Sequence, residues 1–256
     1  MTANPATADP ATIAQDDPAG AAAALATRID AATQRLLQTA ASITDEQARV
    51  ASLLPGWSRG HVLTHLARNA DSLRNLLIWA RTGVMTPQYP SLTAREEEIT
   101  SGADRPAAQL RADLEQSAAE FAAEIETVPE SHWSAEVAGM SGPGHPAWYT
   151  LWRRLSEVEI HHVDLDAGYG PADWPEEFVT QSLRRAAERF AGPGCPAALL
   201  HGTDPAAEYR IGPAAAEPAQ EISGPARAVL AWMIGRSAGG DLSVRPAGEL
   251  PTLPAW

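Results

Sequence analysis

Lysine is missing from this chain, and all 19 of its basic residues are arginine. That absence excludes Schiff-base catalysis and Walker-type phosphate binding by lysine, and it leaves the planar arginine fork to recognise any carboxylate ligand. Positive charge is scarce altogether. Against 32 acidic residues the formal net charge is -13, and so negative a chain cannot displace counterions from a phosphate backbone, which excludes nucleic acid as a partner. Cysteine is nearly absent as well: the single Cys195, set between Gly-Pro-Gly and Pro196, cannot close an internal disulfide and has no sequence neighbour that would activate it as a nucleophile. Apolar runs are short and interrupted, so no membrane span is expected. The opening "MTANPATADPATIAQDDPAG" has neither the basic start nor the apolar stretch of a secretory signal, and residues 1–20 are expected to form a disordered tail on a cytoplasmic protein.

What is present is mostly helical periodicity. Leu25, Ile29, Ala32, Leu36 and Leu37 mark a first amphipathic helix, and Thr44 with Gln47 has the look of a capping box opening a second segment. The clearest helix follows Pro55-Gly56: Ser58 can cap it, Leu63, Leu66, Ala70, Leu73 and Leu77 form its buried stripe, and Gly83 ends it. Another helix runs between Pro106 and Pro129, residues 134–146 read as an irregular loop, and the helical period then resumes until Gly168. Residues 21–170 therefore predict a bundle of four main helices. From 171 to 256 the texture changes to a helix near 175–191, short strand-like pieces around "AALLHG", "AEYRIG" and "AQEIS", a helix over "PARAVLAWMIGR" and a last strand in "DLSVR". This mixture predicts a smaller C-terminal α/β domain, and the whole chain an α+β fold.

The stretch "EVEIHH", residues 157–162, carries the chemical question. Residues four apart on a helix share a face, so Glu157 and His161 project together while Glu159 and His162 turn away. The pair is either half of a metal site or part of an ordinary polar stripe. Among the other histidines, His132 and His145 fall in loops and His201 in the second domain, which leaves His61 and His65, themselves four apart on the core helix. Bundle interiors build metal sites from facing helices, and one histidine added to the Glu-x-x-x-His pair makes the two-imidazole, one-carboxylate set of an open zinc site.

The segments "LPGWSRGHVLTHLARNADSL", "EVEIHHVDLDAGYG", "AWMIGRSAGG" and "LPTLPAW" closely resemble the mycothiol-dependent maleylpyruvate isomerases of the DinB-like metal-binding superfamily. The resemblance implies a DinB-like four-helix bundle, a small C-terminal α/β domain, and a divalent metal, usually zinc, held here by His65, Glu157 and His161. It also implies a reaction: maleylpyruvate, a dicarboxylate of gentisate breakdown, becomes fumarylpyruvate. Rotation about an intact double bond is too slow, so a nucleophile must add and later depart. Mycothiol would bring the sulfur, because a metal favours the thiolate of a thiol that is only slightly ionised at neutral pH. Arg236, in "IGRSAGG", falls by resemblance at an arginine position of the family and is the candidate for stabilising the developing enolate; otherwise it is a charge at a helix end. Arg59, Arg68 and Asn69 flank the metal helix and are the candidates for binding the thiol. A mycothiol S-transferase is the alternative reading, and a thiol- or metal-binding regulatory module is a third.

Overall fold

The computed structural model describes residues 16–140 and 143–256, which fall into two compact units divided between Tyr169 and Gly170. The tail expected at 1–20 lies outside the described residues up to 15. Its last three residues are already helical. Helix α1 spans Pro18–Ser42, because Pro18 needs no N–H in the first turn and the Asp17 carboxylate accepts from the Gly20 amide at 2.8 Å. Thr44 and Gln47 close a reciprocal capping box on the short α2, Asp45–Ala48.

The long core helix is α3, Arg59–Thr82, ended by Gly83 in the left-handed conformation at φ 72°. Its buried stripe includes Leu63, Leu66, Ala70, Leu73 and Leu77. Gly60 is required at its start, since a Cβ there would lie 2.2 Å from the carbonyl oxygen of Ala103. That residue follows α4, Leu92–Gly102, which the Ser91 side chain caps. Helix α5 spans Ala107–Thr127 with Pro106 just outside it, and α6 spans Ala147–Asp164.

Two boundaries differ from the sequence reading. Within the expected loop at 134–146, β1 (Glu136–Val137) pairs antiparallel with β2 (His145–Pro146). Residues 141 and 142 of that loop lie outside the described residues. The helix expected to reach Gly168 stops at Asp164, because the chain turns through a left-handed Asp166 (φ 50°) and Gly168 (φ 94°).

Within this unit α3 packs on α5 and α6, and α1 packs on the other sides of the same two helices. The result is a four-helix bundle with α3 and α6 adjacent, which is what lets side chains from "THLARN" and "EVEIHH" meet.

In the second unit, helix α7 (Glu176–Arg189) precedes β3 (Ala198–Thr203), β4 (Ala206–Ile211) and β5 (Gln220–Gly224), followed by α8 (Ala226–Met233) and β6 (Ser243–Arg245). The sheet order is β4-β3-β5-β6, with β3 and β5 parallel and both outer pairs antiparallel. Helices α7 and α8 pack on each other and on this sheet, burying Trp174, Phe178, Leu183, Leu200, Ile222 and Leu230. The fold is α+β. Among the described residues no helix is long and apolar enough to cross a membrane.

Candidate metal centre

The cap of α3 separates the two candidate histidines. His61 occupies the third helical position, where its Nδ1 accepts from the Ser58 amide at 3.2 Å and lies 2.8 Å from the Ser58 hydroxyl. It serves the helix start. One turn on, His65 reaches across to α6, and its Nε2 lies 2.9 Å from Oε2 of Glu157. The same oxygen is 3.3 Å from Nε2 of His161. One donor atom from each of His65, Glu157 and His161 lies within 4.8 Å of the others, and the two imidazole rings meet edge to face at 4.7 Å.

Exposure grades across the cluster: the side chains of His65, His161 and Glu157 are 5%, 17% and 32% exposed. The cluster is therefore walled on the His65 side and open past Glu157. Trp57 supplies part of the wall, stacking on His61 and meeting the His65 ring edge-on at 5.5 Å. Two imidazoles and one carboxylate at this spacing fit a divalent ion of the zinc type, with room for a further ligand on the open side.

The three groups hold one another's protons. Burial would raise the Glu157 carboxyl, yet hydrogen bonds from both imidazoles keep it well below the ordinary carboxylate range. Burial would likewise lower His161, but bonds to Asp164 and Glu157 push it up to about 9. For His65, burial prevails and the value falls. Asp164, 1% exposed, accepts from Nδ1 of His161 at 2.8 Å and thereby leaves Nε2 directed at the cluster. Asp164 was absent from the residues read out of the sequence, although a carboxylate three positions after His161 in "HHVD" is a usable signal for such an outer partner.

The other face of α6 is equally polar and closed. Glu159 accepts from Nη2 of Arg35 at 2.7 Å and from the Tyr169 hydroxyl at 2.6 Å. His162 lies 2.7 Å from the Thr39 hydroxyl and stacks flat on the Tyr169 ring at 3.8 Å. These groups fasten α6 to α1.

The remaining sequence candidates each have partners of their own. Arg59 donates from Nε to the carbonyl of Leu165 at 2.7 Å and from Nη2 to that of Asp166, holding the turn after α6. Arg68 pairs with Asp113 at 2.5 Å and Asp71 at 3.1 Å, between α3 and α5. Asn69 is buried and accepts from Arg154 at 2.9 Å. Arg236 belongs to the second unit, just past α8, where its Nη1 donates to the Ile234 carbonyl at 2.9 Å.

A four-helix bundle with such a three-donor cluster, followed by a small α/β unit, defines a two-unit α+β protein with a candidate metal site. The chain belongs to the mycothiol maleylpyruvate isomerase family: residues 29–166 match the family's N-terminal domain model and residues 173–255 its C-terminal domain model. It is similar to a crystal structure of a mycothiol-dependent maleylpyruvate isomerase, at 30% identity and a TM-score of 0.84 over 92% of this chain and 97% of that one. A histidine-to-alanine mutant of such an isomerase is similar to the same extent, at 30% identity and a TM-score of 0.83 with the same coverage. No curated protein matches the chain significantly.

Proposed function

We propose that this chain is a cytoplasmic mycothiol-dependent isomerase that converts maleylpyruvate to fumarylpyruvate. The observation that carries the reading is the meeting of His65, Glu157 and His161 in a chain whose two units match the two domains of that family. A divalent metal at these residues, zinc by the chemistry of the donors, together with mycothiol would supply a thiolate nucleophile at neutral pH. The chain offers its own thiol only at Cys195, in the other unit.

The protein's part is positioning. Glu157 contributes the one negative charge of the donor set, Asp164 fixes the His161 tautomer, and Trp57 shields the His65 ring. Arg236 is the candidate for holding the negative charge that develops on the substrate, a task for a planar fork rather than a point charge. Arg59, Arg68 and Asn69 remain candidates for contact with the thiol only if they exchange the partners described above.

The test mixes the zinc-loaded protein, mycothiol and maleylpyruvate, follows the ultraviolet absorption and identifies the product by NMR. Fumarylpyruvate should form only with thiol present, and Cys195→Ser should form it equally well. Accumulation of a stable sulfur adduct without fumarylpyruvate would replace the isomerase by the S-transferase. Arg236→Lys should lower turnover at least about tenfold, roughly 1.4 kcal/mol of transition-state stabilisation, whereas a charge serving only a helix end tolerates lysine.

A further inference from the structure

Most arginines of the first unit face a carboxylate. Arg35, Arg59, Arg68, Arg74, Arg81, Arg105 and Arg111 each lie within ion-pair distance of an aspartate or glutamate. Arg95, Arg153 and Arg154 have only neutral acceptors among the described residues, as does the exposed Arg49 at the Asp45 carbonyl, and the first three gather around the cluster. Arg95 Nη2 lies 3.3 Å from Nδ1 of His65. Arg153 directs Nη1 to Nε2 of His145 and Nη2 to Oε1 of Gln88, both at 3.2 Å. Arg154 is sealed in the core and bound to the Leu66 carbonyl and Asn69. Glu157 acts through space on both Arg153 and Arg154, and Asp71 acts on Arg154 as well, but neither guanidinium has a carboxylate within ion-pair distance.

Arg154 is inaccessible, but Arg95 and Arg153 are half-buried and can be reached. They approach from two directions. Arg153 sits one turn before Glu157 on the stripe that continues to His161, while Arg95 comes from α4 behind the His65 ring. The loop after β1 is shaped around the first of them: a Cβ on Gly139 would lie 2.8 Å from the Gln88 oxygen and 3.0 Å from Arg153 Nη1.

The Arg95 contact is a weak substitute for an ion pair, since at 3.3 Å the guanidinium can only donate to a ring nitrogen of His65. Half-buried cations beside an open donor cluster, without a carboxylate of their own, call for an anion from outside.

We propose that Arg95 and Arg153 form a dicarboxylate subsite beside the cluster, each taking one carboxylate of the substrate. The class of substrate rests on the isomerase reading; the presence of an anion subsite does not. The probe is succinate, which cannot isomerise, titrated calorimetrically into the zinc-loaded full chain. Arg95→Gln and Arg153→Gln should each weaken succinate at least about tenfold with zinc content and melting temperature retained, and Arg111→Gln should leave it unchanged. Propionate, with one carboxylate, should respond less to each substitution than succinate does. In turnover the KM for maleylpyruvate should rise more than kcat falls, with partial rescue by lysine at either position. Succinate affinity unchanged in both zinc-loaded glutamine variants, or no succinate binding by the parent protein, overturns the subsite. Should a variant unfold, its lysine counterpart carries the same comparison. A protein that binds succinate through these arginines but does not isomerise maleylpyruvate keeps the subsite and loses the isomerase reading; one that isomerises with arginine-independent affinity does the reverse.

Discussion

Two glutamate–histidine combinations stand side by side in "EVEIHH" and have opposite fates. Glu157 and His161 face α3, where His65 adds a second imidazole and solvent reaches the carboxylate. Glu159 and His162, turned about half a revolution away, face α1, where Arg35, Thr39 and Tyr169 occupy them. Burial raises the Glu159 carboxyl, only partly offset by Tyr169 and Arg35, whereas the two imidazoles hold Glu157 well below the usual range. The residue types are the same. What differs is the opposing wall: a partner with lone pairs to give and an open side makes a binding site, while a full complement of donors and an aromatic lid makes a fastening.

The sharpest way to break this comparison is to delete one histidine from each face. His161→Ala should lose the bound metal and lower isomerisation by more than about a hundredfold, since a ligand should matter more than its outer partners. His162→Ala should retain metal. Elemental analysis of both purified proteins checks this, and equal metal content would erase the distinction between the faces.

A smaller effect is expected at Asp164. Asp164→Asn should weaken zinc binding by about 10- to 100-fold, as outer partners of metal-bound histidines do. Because Asp164 and Glu157 push His161 up to about 9, an entering ion must displace its proton, and apparent affinity should climb about tenfold per pH unit below that value. Competition with a chromophoric chelator at pH 7 and pH 8 measures the climb. Asparagine, lacking the charge that stabilises the imidazolium, should flatten it.

The smallest effect belongs to the closed face. Glu159→Gln should change stability within about 1 kcal/mol, because glutamine still accepts hydrogen bonds and Arg35 is partly exposed to solvent. The folded carboxyl keeps its proton to higher pH than the unfolded chain does. Wild-type stability should therefore drop as pH rises from about 4.3 through the folded value, and the glutamine variant should lack that component. Denaturant titrations across this range decide it, with metal content unchanged in both proteins.

Periodicity made the four long helices legible, because their buried stripes are regular, and α3 and α5 also stop at Gly83 and just before Pro129. It also exposed the Glu157–His161 pair, since a local spacing of four needs no knowledge of tertiary contacts. The choice between His61 and His65 came from motif resemblance, although the capping role of His61 was latent in "SRGH", where the histidine stands three positions after Ser58. Arg95 and Arg153 were not legible. In "REEE" an arginine reads as a surface ion-pair partner, and "WRR" looks like a solvated helical turn; only the packing of α4 and the loop after β1 brings both to neutral acceptors. For Arg59 and Arg68, likewise, the sequence shows nothing of the carbonyls and carboxylates that engage them.

The central claim is that the Glu157–His161 face, completed by His65, holds a metal that takes up mycothiol. Zinc-edge X-ray absorption of the loaded protein, recorded before and after adding mycothiol, addresses it directly. The account predicts a first shell of nitrogen and oxygen donors with imidazole scattering from two rings, joined on thiol addition by one sulfur at about 2.3 Å. A first shell that gains no sulfur under saturating mycothiol would contradict it.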